Sequence, residues 1–256
     1  MEDFVVQLNE QGEKELIKCN IDEGSVTVPG DIVHIAYGAF KYSNIENVVL
    51  PEGLKTIGAR AFYCCENLKG VAIPEGVEEI PESVFFGCKQ LSRLVLPKGL
   101  KVIGEEAFWN CKALTQLTLP EGLEEIGYQA FDWCDDIKTV IIPQGVKRIR
   151  KYAFDDPERV YIPNSVEVIE EYAFGSGFHV TFYCQGQPKE GWTDEPDEIK
   201  VYYTDDSYSF NFHRSAGSFD NEQTRHEDVK HHSYNPQKRP VYTNVTLDEF
   251  LKLCNS

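Results

Sequence analysis

The chain has 256 residues, 41% of them apolar and 26% charged, and its 42 acidic against 25 basic side chains leave a net charge of −17. That apolar share suffices for a core at this length, while the charge excludes nucleic acid and anionic membrane surfaces as partners, because both repel such a chain. No stretch approaches the ~18 apolar residues of a membrane span, and Met1-Glu2-Asp3-Phe4 opens neither basic nor apolar enough for a signal peptide. No membrane insertion is therefore expected. The expected compartment is the cytoplasm, with a secreted or cell-surface location expected instead if a leader has been trimmed.

In chain order, residues 1–25 read as an N-terminal cap, since the first coil of a stack would otherwise expose its apolar face. Phe4-Val5-Val6-Gln7-Leu8 and Glu15-Leu16-Ile17 are strand-like, and Val26-Thr27-Val28-Pro29 opens a periodic array over 26–184. Prolines at 29, 51, 74, 97, 120, 143 and 163 mark seven copies, spaced by 22, 23, 23, 23, 23 and 20 residues. Six residues after each Pro stands an Ile (Ile35, Ile57, Ile80, Ile103, Ile126, Ile149, Ile169), and eleven after stands a Phe (Phe40, Phe62, Phe85, Phe108, Phe131, Phe154, Phe174). Such a period predicts a solenoid.

Within a copy, apolar side chains lie six, three and one residues before the Pro, as in Leu68, Val71, Ile73 and in Leu114, Leu117, Leu119. The alternation of the last two predicts a short strand with those side chains inward, and adjacent copies predict a parallel sheet. Pro-Glu-Gly at 51–53, 74–76 and 120–122 predicts a type I turn with Pro second and Gly fourth. Pairs such as Leu54 and Ile57 then face inward on the opposite wall, followed by a tight bend carrying Ala-Phe. Val84 replaces the Ala once and requires a local shift.

Cys65, Cys88, Cys111 and Cys134 each follow the repeat Phe by three residues. Coils ~4.8 Å apart bring their Cα atoms within disulfide reach, but parallel side chains keep the Cβ atoms beyond the ~3.8 Å mean of a disulfide. The column reads as a buried thiol ladder, in keeping with a reducing compartment. A linear row does not give zinc its tetrahedron. Cys64 points elsewhere and is the exposed thiol.

After Phe154, Asp155-Asp156-Pro157-Glu158-Arg159 reaches Val160-Tyr161-Ile162-Pro163 three residues early and without the Cys, and a terminal strand over 178–182 with Val180 and Phe182 inward closes the array. Residues 185–256 read as an appendage: a linker to 197, a hairpin of 199–203 with 208–212 around Asp205-Asp206, and a polar, disordered stretch over 214–239. A short helix near 247–254 ends it. There Thr246-Leu247-Asp248-Glu249 forms a capping box, and Leu247, Phe250, Leu251 and Cys254 recur at i, i+3, i+4 and i+7.

No catalytic constellation and no cofactor site is predicted. His226 and His231 flank Glu227 at a spacing of five, off a shared helix face, so the segment reads as a polar loop and not as a metal site. His34 and His179 have no recurring Ser, Asp or Cys beside them. The glycines follow Pro once per repeat, which is turn chemistry. Asn244-Val245-Thr246 matches a glycosylation acceptor, but its Thr is already the expected helix cap.

The candidate site is the outward side of the strands. Two residues before each Pro stand Val49, Ala72, Val95, Thr118, Ile141 and Tyr161; four before stand Asn47, Gly70, Arg93, Gln116, Thr139 and Arg159. Stacked on one face they place an apolar stripe beside a polar one, the pattern of a recognition surface. Two blander readings compete: β-branched residues simply favour strands, or the C-terminal helix folds back over the stripe. A second patch, Tyr63, Phe86 and Trp109, reads first as rim packing.

The repeat, L-x-x-L-x-L-P-x-G-L-x-x-I-G-x-x-A-F-x-x-C at 114–134 with neighbours at 68–88 and 91–111, resembles the BspA-like leucine-rich-repeat family of bacterial and some protist proteins. The resemblance implies an α/β leucine-rich-repeat solenoid, β-rich, a right-handed curved stack with a parallel sheet, short turns and little helix. It also implies protein interaction, in many members adhesion at the cell surface. The expected function is a non-enzymatic scaffold that binds a protein partner through the outward sheet face. The alternative is a secreted or surface adhesin or effector for a host matrix protein or, less expected, a glycan held by exposed aromatics such as Tyr63 and Trp109.

Overall fold

The computed structural model describes residues 3–175, 180–185, 199–204, 207–212 and 247–254. In chain order the strands are β1 (Phe4–Leu8), β2 (Lys14–Cys19), β3 (Glu23–Thr27), β4 (Ile32–Ile35), β5 (Asn44–Val49), β6 (Thr56–Ile57), β7 (Gly70–Ala72), β8 (Glu79–Ile80) and β9 (Arg93–Val95). They continue as β10 (Val102–Ile103), β11 (Glu125–Ile126), β12 (Thr139–Ile141), β13 (Arg148–Ile149), β14 (Arg159–Ile162), β15 (Val168–Ile169) and β16 (Thr181–Cys184). Beyond the array, β17 (Ile199–Thr204) and β18 (Ser207–Phe212) pair as the expected antiparallel hairpin, and α1 (Leu247–Cys254) is the expected helix. The expected linker, His179, the polar stretch with its histidines and Asn244 lie outside the described residues.

The array winds as coils with three walls. Strands preceding the prolines make the front wall, in two parallel sheets of order β3-β5-β7-β9 and β12-β14-β16. The short strands after the prolines make the second wall, where β8, β10, β11, β13 and β15 form one sheet and β4 and β6 join the β1–β2 hairpin in another. Pro81 explains the break between β6 and β8: it stands where Gly58 donates its N–H to the Ile35 carbonyl at 2.7 Å, and Pro has no N–H to donate.

The third wall is the Ala-Phe bend, and it bonds coil to coil throughout. The N–H groups of Phe40, Phe85 and Phe108 donate to the carbonyls of Ala61, Ala107 and Ala130, each at 2.8 Å, and Phe62 donates to Val84 at 2.9 Å. Val84 is fully buried, so its extra methyls are absorbed without loss of that bond. Inside, the seven phenylalanines stack nearly parallel, with centroids from 4.7 Å (Phe40 and Phe62) to 5.5 Å (Phe154 and Phe174), and Phe182 meets Phe174 edge-on at 5.4 Å.

The cysteine column has a hydrogen-bonding role. Each thiol donates to the carbonyl of the Phe one coil back: Cys65 to Phe40 at 3.0 Å, Cys88 to Phe62 at 3.2 Å, Cys111 to Phe85 at 3.3 Å and Cys134 to Phe108 at 3.1 Å. All four are free and buried, and Cys64 is free and half-buried. Burial pushes the Cys65 thiol up to about 12 and holds Cys88 and Cys111 well above the usual thiol range.

Two local expectations need correction, and one feature was not foreseen. The Leu54 N–H donates to the Pro51 carbonyl at 3.0 Å, and Val77, Leu100 and Leu123 do the same to Pro74, Pro97 and Pro120. Pro is thus the first residue of the turn and Gly the third, because the proline carbonyl, not that of the residue before it, closes the turn. Each coil from Phe40 to Phe154 also carries left-handed residues two positions before and two after its Phe, among them Arg60, Cys64, Glu106, Asn110, Gln129 and Trp133, with φ between 52° and 60°. Finally, the front wall is not one sheet, since residues 115–119 form no strand between β9 and β12.

Candidate interaction surface

Strand register puts the candidate residues into columns: Ala72 is opposite Val95, Asn47 opposite Gly70, Gly70 opposite Arg93, Ile141 opposite Tyr161, and Thr139 opposite Arg159. The apolar stripe nevertheless divides into two unlike halves. Val49 and Val95 are 59% and 60% exposed, flanking an exposed Ala72. In the other half Ile141 is only part-exposed and Tyr161 is 3% exposed, packed with Ile141, Tyr183 and Leu247 of α1. Tyr161 therefore leaves the exposed surface: the helix folds back over this end of the stripe. The same burial pushes its phenol up.

Between the halves Gln116 and Thr118 are exposed, but residues 115–119 make no backbone hydrogen bond to the coil on either side. The two copies meeting here carry Leu94 and Leu117 at the inward position three before Pro, where Val48, Val71, Val140 and Val160 stand elsewhere. Leu94, Leu96 and Leu117 are only partly buried. A γ-branched side chain fits the pleat less well than a β-branched one.

The polar column is wired along the stack. Asn47 Nδ2 donates to Ser25 Oγ at 3.3 Å, and Arg93 Nη2 donates to Asn47 Oδ1 at 3.3 Å from two coils away. Gly70 makes this reach possible: a Cβ there would lie 3.2 Å from Arg93 Nε. Arg93 thus lies flat on the face as an exposed cation, while Thr139 and Arg159 are half-buried.

The aromatic patch is larger than the sequence suggested. Tyr63 stacks on Phe86 at 4.7 Å and 12°, and Phe86 on Trp109 at 4.4 Å and 13°. Tyr42 adds an edge-on contact to Tyr63 at 5.7 Å, and Trp133 a tilted one to Trp109 at 5.9 Å. Cations sit near the outer rings, with Lys41 Nζ 5.9 Å from the Tyr42 centroid and Lys112 Nζ 5.6 Å from that of Trp133. The inner ring faces are spent on each other.

Titratable groups outside the core serve structure. His34 Nε2 is 2.8 Å from Glu13 Oε2 and its Nδ1 2.7 Å from Thr56 Oγ1, which ties the β1–β2 hairpin to the first coils. Hydrogen bonds from Lys55 and then His34 hold the Glu13 carboxyl at about 2. At the shortened copy, burial first and then a hydrogen bond with Asp135 and the charges of Asp132 and Asp156 push Asp155 up to about 7. Among the described residues no group of three His, Cys, Asp or Glu side chains is arranged to hold a metal ion, and no helix is long and apolar enough to cross a membrane.

A stack of coils in which every unit rests on its neighbours, with recurring letters inside and changing letters outside, defines a repeat scaffold of the leucine-rich-repeat kind. The BspA type leucine rich repeat region, in six copies, matches residues 33–158 and 79–182, more than half of the chain, and the protein belongs to that family. Repeats of this kind serve generally in protein interaction.

Solved structures, two of them of leucine-rich-repeat proteins, share the fold. The protein of T. pallidum aligns with a TM-score of 0.53 at 25% identity, covering 70% of this chain and 78% of that one. A Bacteroides ovatus protein aligns at 0.50 and 21%, covering 75% and 66%, and the pneumococcal vaccine antigen PcpA at 0.50 and 14%, covering 66% and 52%. No curated protein matches the sequence.

Proposed function

We propose that this protein is a non-enzymatic interaction scaffold whose partner is a protein and whose contact surface is the outward face of β5, β7 and β9. The observation that carries this reading is the exposure of Val49 and Val95 at 59% and 60% on a hydrogen-bonded sheet face, next to the spread Arg93. Apolar side chains held at fixed spacing beside one cation suit a partner surface of mixed apolar and acidic character. The glycan alternative is supported less, because sugars stack on open ring faces and those of Tyr63, Phe86 and Trp109 are mostly turned to each other. For compartment we favour a reducing one, supported by the free thiols, of which half-buried Cys64 is the most open to an oxidant among the described residues.

The test is affinity capture from a lysate of the source organism by the native protein and by a Val49→Glu/Val95→Glu variant. Both positions are solvent-facing, so circular dichroism should stay unchanged, and bands captured by the native protein should be lost. Identical capture by the two proteins would sink the reading.

A further inference from the structure

At the C-terminal half of the front wall the structure holds a seat and an occupant. The seat is the patch of Ile141, Tyr161 and Tyr183, at the edge of an open cleft of about 310 Å³ that runs beside the unpaired residues 115–119 and has Leu117, Leu119 and Ile142 among its walls. Leucines that would be sealed by a continuous sheet are reachable here, since Leu117 is only partly buried. The occupant is Leu247, the first residue of α1, which packs with Ile141, Tyr161 and Tyr183 and thereby forms one wall of the cleft.

We infer that the patch of Ile141, Tyr161 and Tyr183 beside this cleft is a docking site for a short amphipathic helix and that α1 is its tethered occupant, masking one half of the interaction face. The contrast within a single sequence column carries the argument. Val49 and Val95 stand 59% and 60% exposed, whereas Tyr161 in the same column is 3% exposed, and what distinguishes it is the cover supplied by Ile141, Tyr183 and Leu247. The helix has eight residues, ends with Lys252 in its last turn, and leaves Asp248, Leu251 and Lys252 exposed. A contact that small is weak as a free ligand, but α1 is covalently part of the same chain, so its seating is intramolecular, at an effective concentration on the order of millimolar or below. The cover is thus stable in the isolated protein and displaceable by a partner that presents a tighter helix. The inference deepens the scaffold reading and rests on it for its biological consequence. It concerns different residues, however, so the two fail separately.

The experiment measures binding of a fluorescent synthetic peptide with the sequence of residues 244–256 to the full-length protein. Wild type should bind it weakly, because the resident helix competes. A full-length Leu247→Glu variant, whose own helix no longer seats, should bind it about tenfold tighter or more, and adding Ile141→Glu to that variant should abolish the gain. Leu247→Ser serves as a milder release should the glutamate disturb folding, and hydrogen exchange at β12 and β14 should rise in either release variant. Equal peptide binding by wild type and release variants, or binding by neither, would overturn the inference. A concentration-dependent dimer of wild type that Leu247→Glu dissolves would also overturn it, by seating the helix on a second copy. None of these outcomes touches Val49 or Val95, whose variant tests the scaffold reading alone.

Discussion

Single residues set how closely the coils approach. A Cβ added at Gly58 would lie 2.5 Å from the Tyr37 backbone nitrogen and 2.6 Å from the Ala36 carbonyl carbon, while one at Gly53 would meet nothing within 4 Å. Gly58→Ala should therefore cost about 1–3 kcal/mol or more through forced separation of two coils. Gly53→Ala, whose φ is not in the left-handed region, should be neutral or stabilise by about 0.4–1 kcal/mol through the unfolded chain. Urea titration of the pair checks this, and equal midpoints would refute it. Asp155 supplies the pH dependence. Its folded value of about 7 lies above its ordinary 3.8, so its favourable contribution is complete below about pH 4 and is lost as pH rises through 7. Asp155→Asn should raise the melting temperature at pH 8 clearly more than at pH 4. A gain independent of pH would mean that the carboxyl titrates normally.

At the scale of the element, the decisive feature is the loosened front wall. With no backbone partner on either side, the amides at 116–119 should exchange faster with solvent than those of Val71 or Val140, which sit inside paired strands. Restoring β-branched side chains by Leu94→Val with Leu117→Val should slow that exchange, and protection already equal to Val71 in the native protein would refute the account. The same stretch shows where the sequence was legible. The columns of Pro, Ile, Phe and Cys dictated the solenoid because each recurs with one job, and a period of 23 leaves little choice of register. The split of the front wall was written only in the change from Val to Leu at two positions, too small a signal to weigh against five intact copies. The left-handed sites flanking the phenylalanines left little mark, because glycine stands at them in Gly38 and Gly87 but Arg60, Gln129 and Trp133 occupy others in the same columns. Tyr161 was misplaced for another reason: its cover comes from Leu247, far along the chain, and stripe periodicity cannot report a contact so distant. The folded-back helix was foreseen as a competing reading, but which end of the stripe it would cover was not.

For the whole molecule, the breaks in the walls are staggered. The second wall is interrupted between β6 and β8 and the front wall at residues 115–119, yet the third wall runs unbroken across both, with Phe62 donating to Val84 and Phe108 to Ala130. Every coil therefore keeps at least two hydrogen-bonded walls against each neighbour. In a nearly one-dimensional protein, where stability is a sum of coil and interface terms, this keeps the weakest interfaces strong enough for the array to open as one unit. The coil containing residues 115–119 has the least to spare, since it already lacks the front wall on both sides. Gly127 belongs to that coil: its N–H donates to the Ile103 carbonyl at 2.8 Å, and a Cβ there would lie 2.5 Å from the Gly104 carbonyl carbon. Gly127→Ala should thus loosen a second wall where the first is missing and uncouple the two ends of the array. The native protein should unfold in urea in one transition, with far-ultraviolet circular dichroism and tryptophan fluorescence coinciding. Gly58→Ala should shift that single transition, because its coil keeps all three walls against the coil before it. Gly127→Ala should divide it into two, with exchange protection over β12 and β14 lost before that over β5 and β7. A single shifted transition in both variants would show that the third wall and the phenylalanine stack suffice to couple the coils.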